Sequence, residues 1–253
     1  MKEAYMAILF FLFSFGVIAQ NNTLFQHATE SYNEGEYNKA IGFYEQILDN
    51  KQHSSELYFN LGNAHYKLGE IGPSIYYYEK ALLLKPNDVE IKNNLSYANN
   101  MKLDAIDEMP ETVLVSFYKT VVNYLSFEQW AYLAVGMIFL FVLGYIVYYF
   151  LYNATHKRIS FIASVLGLVL AVISVIMAYF QYNEFQKDNP AIIFSREIAV
   201  TSEPNDRSER LFTLHEGTKV NVVEELGNWQ KVKIADGQTG WLPSEHLKLL
   251  KKF

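Results

Sequence analysis

The sequence predicts a multi-domain membrane protein built from three kinds of structure: an all-α helical repeat solenoid, a two-helix transmembrane hairpin and a small all-β barrel. Three observations predict it. Residues 21–54 and 55–88 align without a gap at a period of 34, the spacing of a helix pair that stacks on its own copies. Residues 130–152 and 159–182 contain no charged side chain. Beyond residue 190 apolar and polar residues alternate in short runs bounded by turn residues, the pattern of half-buried strands.

Composition supports a membrane chain. Of 253 residues, 51% are hydrophobic and only 19% charged, below the roughly 25% usual in soluble domains. The net charge of −6 argues against a nucleic-acid partner, whose footprint is a basic patch. Cysteine is absent, which excludes disulfides, thiol nucleophiles and cysteine-ligated metals.

Residues 1–19 read as a signal peptide. Lys2 supplies a weak positive start, residues 7–19 are apolar, and Val17 and Ala19 are the small side chains that a signal peptidase accepts. The other reading is an uncleaved anchor, although the run is shorter than the ~20 residues of a span. Either one exports the segment from residue 20 onward.

In the repeat, Phe25 pairs with Phe59, Ala28 with Gly62, Tyr32 with Tyr66, Gly35 with Gly69, Ala40 with Ser74, Tyr44 with Tyr78 and Leu48 with Leu82. Small residues let paired helices approach, the glycines permit the tight turn, and the tyrosines fill space between repeats. Pro86 ends the second unit, and Asn87-Asp88 cap a further helix over 89–102. That helix closes the apolar face that terminal repeats expose. These residues resemble the tetratricopeptide repeat (TPR) family, most closely over Tyr58-Phe59-Asn60-Leu61-Gly62-Asn63-Ala64-His65-Tyr66-Lys67-Leu68-Gly69 and Tyr78-Glu79-Lys80-Ala81-Leu82. The resemblance implies a TPR domain over 21–102 that binds peptides on a concave face. By register that face carries Phe25, Thr29, Tyr32, Asn33, Phe59, Asn60, Asn63, Tyr66, Lys67, Asn93, Asn94 and Tyr97. Asparagine amides both donate and accept, which suits an extended peptide backbone. Each tyrosine serves either the groove or the packing between helices.

Residues 109–129 come next. Pro110 is placed to open a helix, and Val113, Leu114, Phe117, Tyr118, Val121, Val122 and Leu125 keep helical spacing. This amphipathic helix lies either on the membrane surface or against the preceding domain.

The two uncharged runs, 130–152 and 159–182, are long enough to cross a ~30 Å hydrocarbon core. Aromatic residues stand near their ends: Trp130, Tyr132, Tyr148, Tyr149 and Tyr152 on the first, Tyr179, Phe180 and Tyr182 on the second. The connection 153–158 holds Lys157 and Arg158. Positive charge in a short loop predicts a cytoplasmic loop, with both outer segments periplasmic. No ionisable residue lies inside either run, so a proton or ion pathway has no carrier there.

In the C-terminal segment, residues 231–234 alternate, Asp236-Gly237 signals a two-residue hairpin turn, and 239–242 return. Residues 192–201 and 218–226 read as further strands. Gly227-Asn228-Trp229, Gly240-Trp241-Leu242, Leu214-His215-Glu216-Gly217 and Ala199-Val200-Thr201 together resemble a bacterial SH3-like domain over 190–250. The resemblance implies a module for cell-wall peptides or protein docking, with Phe212, Trp229 and Trp241 lining a groove or filling the core.

The six histidines are scattered, and no metalloprotease, phosphate-loop, dinucleotide or serine-elbow motif occurs. No catalytic residue, cofactor or metal is predicted. The order of segments resembles the BatE family of aerotolerance-operon proteins. It implies a bacterial inner-membrane scaffold linked to stress tolerance, with von Willebrand factor A-domain membrane proteins and a MoxR-type ATPase as protein partners. Membrane lipid is a further expected contact. The competing expectation is a wall anchor or sensor that binds peptidoglycan through the SH3-like domain.

Overall fold

The structure is a computed structural model that describes residues 20–252 apart from positions 108 and 111. The expected signal peptide lies outside the described residues. The chain divides into two compact units: one joins the segment through Glu108 with Asn189–Phe253, the other is Met109–Asp188.

In the first unit, α1 (described over residues 20–33), α2 (Tyr37–Asp49), α3 (Ser55–Leu68), α4 (Ile71–Leu84) and α5 (Val89–Asn99) succeed one another. The α1–α2 and α3–α4 turns each have a left-handed glycine, with φ of 81° at Gly35 and 74° at Gly69. In each, the residue after the glycine donates back across the turn, Glu36 to Ser31 O and Glu70 to His65 O. Ser54 caps α3 and Asp88 caps α5 through side-chain bonds to backbone N–H groups. Gly62 is where the second helix pair closes up. A Cβ there would stand 2.6 Å from the Tyr78 ring, and the Ser74 hydroxyl donates to Gly62 O at 3.0 Å.

Seven strands complete this unit: β1 (Pro190–Ile193), β2 (Glu197–Thr201), β3 (Arg210–His215), β4 (Lys219–Leu226), β5 (Trp229–Lys233), β6 (Thr239–Pro243) and β7 (Leu247–Leu249). They form one antiparallel sheet in the order β3-β2-β6-β5-β4-β1-β7, and a barrel closure is not among these pairings. The run 192–201, expected as one strand, is two. β1 pairs with β4 and β7, while β2 pairs with β3 and β6. Alternation in the sequence does not anticipate β3 or β7. Adjacent Leu211 and Phe212 break the alternation of β3, and β7 is too short to show one. The Asp236-Gly237 hairpin also differs by one residue. Ile234 N donates to Gln238 O and Gly237 N to Ile234 O, so the loop is 235–237 with Gly237 at φ 92°.

The sheet and the repeats share a core. Ile192 and Leu250 are fully buried in the same cluster as Tyr58, Ile75, Tyr78, Ala81, Ile91, Leu95 and Ala98. Polar contacts flank it: Gly72 N donates to Glu216 Oε1 at 2.9 Å, and Lys219 pairs with Glu79 at 2.8 Å. Repeat segment and sheet segment, some eighty residues apart in the chain, therefore fold as one body. The cap expected from α5 alone is supplied by α5 together with β1 and the chain end.

The second unit contains α6 (Val113–Val122), α7 (Phe127–Phe150) and α8 (Ala154–Lys187). Pro110 does not open α6; Thr112 caps it, accepting from Val115 N. A capping box of Ser126 and Gln129 starts α7. α7 and α8 are long and apolar enough to cross a membrane, at about 36 and 51 Å. Only three residues separate them, and Asn153 caps α8, so Lys157 and Arg158 lie in its first two turns rather than in a loop. The contact between α7 and α8 is made largely by small residues. Ser160 and Ser164 donate to Gly144 O and Phe141 O at 2.7 and 3.0 Å. Gly167, Ala171 and Ser174 continue this buried stripe on α8, which the hydropathy pattern alone does not single out.

Candidate functional site

A polar concavity in the first unit lies on α1, α3 and α5, the first helices of successive helix pairs, with Tyr78 of α4 at its floor. It is a cavity of ≈ 250 Å³ lined by Tyr32, Asn63, Tyr66, Lys67, Tyr78, Asn94 and Tyr97. Asn63 organises it. Its Oδ1 accepts from the Tyr78 hydroxyl at 2.6 Å and from Asn94 Nδ2 at 2.9 Å. One amide thereby ties α3 to both α4 and α5.

The same arrangement occurs one period earlier in simpler form. The Thr29 hydroxyl, at the position equivalent to Asn63, lies 3.4 Å from the Tyr44 hydroxyl. Phe25 meets Tyr44 edge-on at 5.5 Å, and Phe59 meets Tyr78 at a tilt at 5.9 Å. Burial raises the pKa of Tyr44 and Tyr78 above the phenol value, and burial followed by the neighbouring Tyr37 and Tyr44 does so for Tyr32. These rings are neutral hydrogen-bonding groups at any physiological pH. Lys67, exposed, is the one charged residue lining the cavity. The site thus offers amides, phenols and one cation, the chemistry for a polar, extended backbone.

The expected groove residues divide accordingly. Tyr32, Asn63, Tyr66, Lys67, Asn94 and Tyr97 line the one cavity. Phe59 and Asn60 line a second of ≈ 250 Å³ beside Lys85 and Asp88. Phe25 lines a third, of ≈ 540 Å³, beside His53 and Lys51. Thr29 is occupied by Phe25 O and Tyr44, and Asn33 and Asn93 are exposed outside these cavities. Tyr78, read from sequence as a space filler, also lines the first; its 34-residue partner Tyr44 is the signal that its place is structured.

In the sheet, Trp241 is buried at 7% exposure, with Lys231 Nζ 5.7 Å from its ring centroid. Leu242 and Val232, one residue along each strand, belong to the main sheet core. Alternation therefore puts Trp241 on the opposite face, which it shares with half-buried Trp229. Phe212 packs against the core instead, so the three aromatics do not gather into one patch.

Residues 55–88 match the family model for the tetratricopeptide repeat, and residues 199–248 match that for the bacterial SH3 domain. Both are interaction modules, typically without catalytic chemistry. The repeat match contains Asn63, Tyr66, Lys67 and Tyr78, four of the seven residues lining the first cavity. The SH3 match contains all three aromatic candidates and most of the sheet, beginning after β1. β1, the strand that enters the repeat core, is thus outside the matched SH3 segment. No curated protein matches the chain.

Proposed function

We propose that this chain is a non-enzymatic scaffold of the bacterial inner membrane. Its repeats and its SH3-like sheet stand together on the periplasmic side and assemble an envelope protein complex. The observation that carries this reading is the cavity of Tyr32, Asn63, Tyr66, Lys67, Asn94 and Tyr97. It stays open while the sheet packs on α4 through β1, Ile192 and Leu250. α7 and α8 serve as the membrane hairpin, with Lys157 and Arg158 at its cytoplasmic end. α6, apolar over Val113, Leu114 and Phe117, lies at the membrane surface. Among families, the order of parts favours a BatE-like role in stress tolerance, with von Willebrand factor A-domain membrane proteins and a MoxR-type ATPase system as partners.

The test is purification of the tagged full-length chain in mild detergent, with mass spectrometry of the proteins that accompany it. Stoichiometric membrane or exported proteins support the scaffold. Tyr97→Ala with Lys67→Ala is the informative variant, because both side chains are exposed and neither carries the Asn63 network. Loss of the partner at unchanged thermal stability assigns it to this groove; undiminished capture counts against the groove.

A second reading is supported by the bacterial SH3 match at 199–248: contact with peptidoglycan through the face bearing Trp229. The full chain, rather than an isolated C-terminal fragment, is the material for this test, since a fragment would expose Ile192 and Leu250. Cosedimentation with purified sacculi that Trp229→Ala abolishes supports wall binding; none by the full chain sets it aside.

A further inference from the structure

We infer that the hairpin end of α7 and α8 holds the phosphate of an anionic phospholipid, bound between Lys157, Arg158 and the aromatic side chains beside them. The inference rests on the reading of α7 and α8 as membrane spans. A cavity of ≈ 320 Å³ lies here, lined by Tyr148, Ala154, Lys157, Arg158 and Phe161. Tyr148 and Phe161 meet at 5.5 Å between ring centroids, and Lys157 Nζ stands 4.9 Å from the Tyr148 centroid. That cation–π contact aims the ammonium at the cavity rather than outward to solvent.

The charge balance of the hairpin identifies the class of ligand. Residues 129–183 contain no Asp or Glu. Neither Lys157 nor Arg158 has an ion-pair partner among the described residues. Two cations side by side repel, and at the edge of a hydrocarbon layer they need an anion that residues 129–183 do not provide. Arg158 presents a planar fork suited to two phosphate oxygens, and Lys157 a point charge. The rest of the cavity is aromatic and apolar, and Phe161 and Val165, one turn apart on α8, are 48% and 41% exposed below it. A soluble phosphate would leave this apolar wall bare. A lipid covers it with glycerol and acyl chain while its phosphodiester meets the cations, as basic pockets between membrane helices do.

The test uses the full chain in nanodiscs of phosphatidylcholine mixed with phosphatidylglycerol, released for native mass spectrometry. Phosphatidylglycerol should be retained over phosphatidylcholine by roughly tenfold or more, given two cations each attracting anionic lipid. Lys157→Gln with Arg158→Gln should abolish the preference, while Lys119→Gln should not. Equal retention of the two lipids by the unaltered chain overturns the assignment, as does displacement of the retained lipid by inorganic phosphate. Alkaline carbonate extraction of cell membranes that hold the same chain separates the two readings. A chain that resists extraction but shows no lipid preference loses only the site, and a chain that is extracted loses the spans.

Discussion

The carboxylate of Asp104, just beyond the last repeat helix, is gripped by His215 at the end of β3. It accepts the His215 backbone N–H at 2.7 Å and lies 2.6 Å from the imidazole Nδ1. The Thr218 hydroxyl adds a third bond at 2.6 Å. One side chain thus ties residues more than a hundred positions apart, and Ile106 packs on the sheet core beside it.

Asp104→Asn should lower the stability of the docked sheet by about 1.5–3 kcal/mol, the range for bonds to a charged group. Burial pushes the Asp104 carboxyl up, but bonds from Thr218 and from the backbone and ring of His215 outweigh it, so its pKa is below the ordinary carboxylate value. The stabilisation is therefore present above pH about 4 and is lost as pH falls through the lowered value. Denaturant unfolding of the full chain between pH 3 and about 6 should show this slope in the unaltered chain and a reduced one in the variant.

Gly62→Ala should destabilise the repeats even though alanine is the better helix former. The added methyl would sit 2.6 Å from the Tyr78 Cδ1, and Tyr78 is held by Asn63 and by the shared core. Overpacking of about 1–3 kcal/mol exceeds the propensity gain of about 1 kcal/mol. A lower thermal midpoint, read by circular dichroism, is the expected outcome.

Lys80 gives the fold an alkaline signature. It is 5% exposed, donates to Lys252 O at 2.7 Å and lies 5.0 Å from the Tyr58 ring centroid. Burial pushes its pKa from 10.5 down to about 8. Between those values the unfolded chain holds the proton that the folded chain has released, so stability rises with pH there. Burial raises the pKa of Tyr58, Tyr77 and Tyr78, so stability falls again as pH climbs past 10. Unfolding free energy should rise from pH about 8 and turn over near 10. Lys80→Met should remove the rise and keep the fall.

Gly167→Leu should loosen the helix hairpin. A Cβ at Gly167 already stands 3.2 Å from Met137 O and 3.3 Å from Phe141 N, whereas one at Gly136 meets nothing within 4 Å. Thermal melting in detergent should fall for Gly167→Leu and stay level for Gly136→Leu.

Much of this was legible locally. The 34-residue period locates α1 to α4 and pairs Tyr44 with Tyr78, and the Asn87-Asp88 cap locates α5. Lack of charge marks both long helices, and alternation marks β5 and β6. Where prediction and structure part, a contact that the hydropathy pattern does not carry decided. The 192–201 run breaks into two strands because β1 takes partners on β4 and β7 that β2 does not share. Lys157 and Arg158 are helical because Asn153 caps α8 four residues before Lys157. Trp241 is buried because of its place across from Lys231, which no spacing within its own strand reveals.

Local pattern in the chain is enough for the inventory: helical repeats, two apolar helices and a stranded C-terminal segment, each written in a periodicity of a few residues or a few tens. That repeats and sheet are one body emerges only in three dimensions. Ile192 and Leu250 carry no mark that separates them from any other strand residue, and their partners Tyr58, Ile75 and Tyr78 lie over a hundred positions away. Burial across such a distance depends on the shape of both surfaces at once, and a local pattern encodes only one of them.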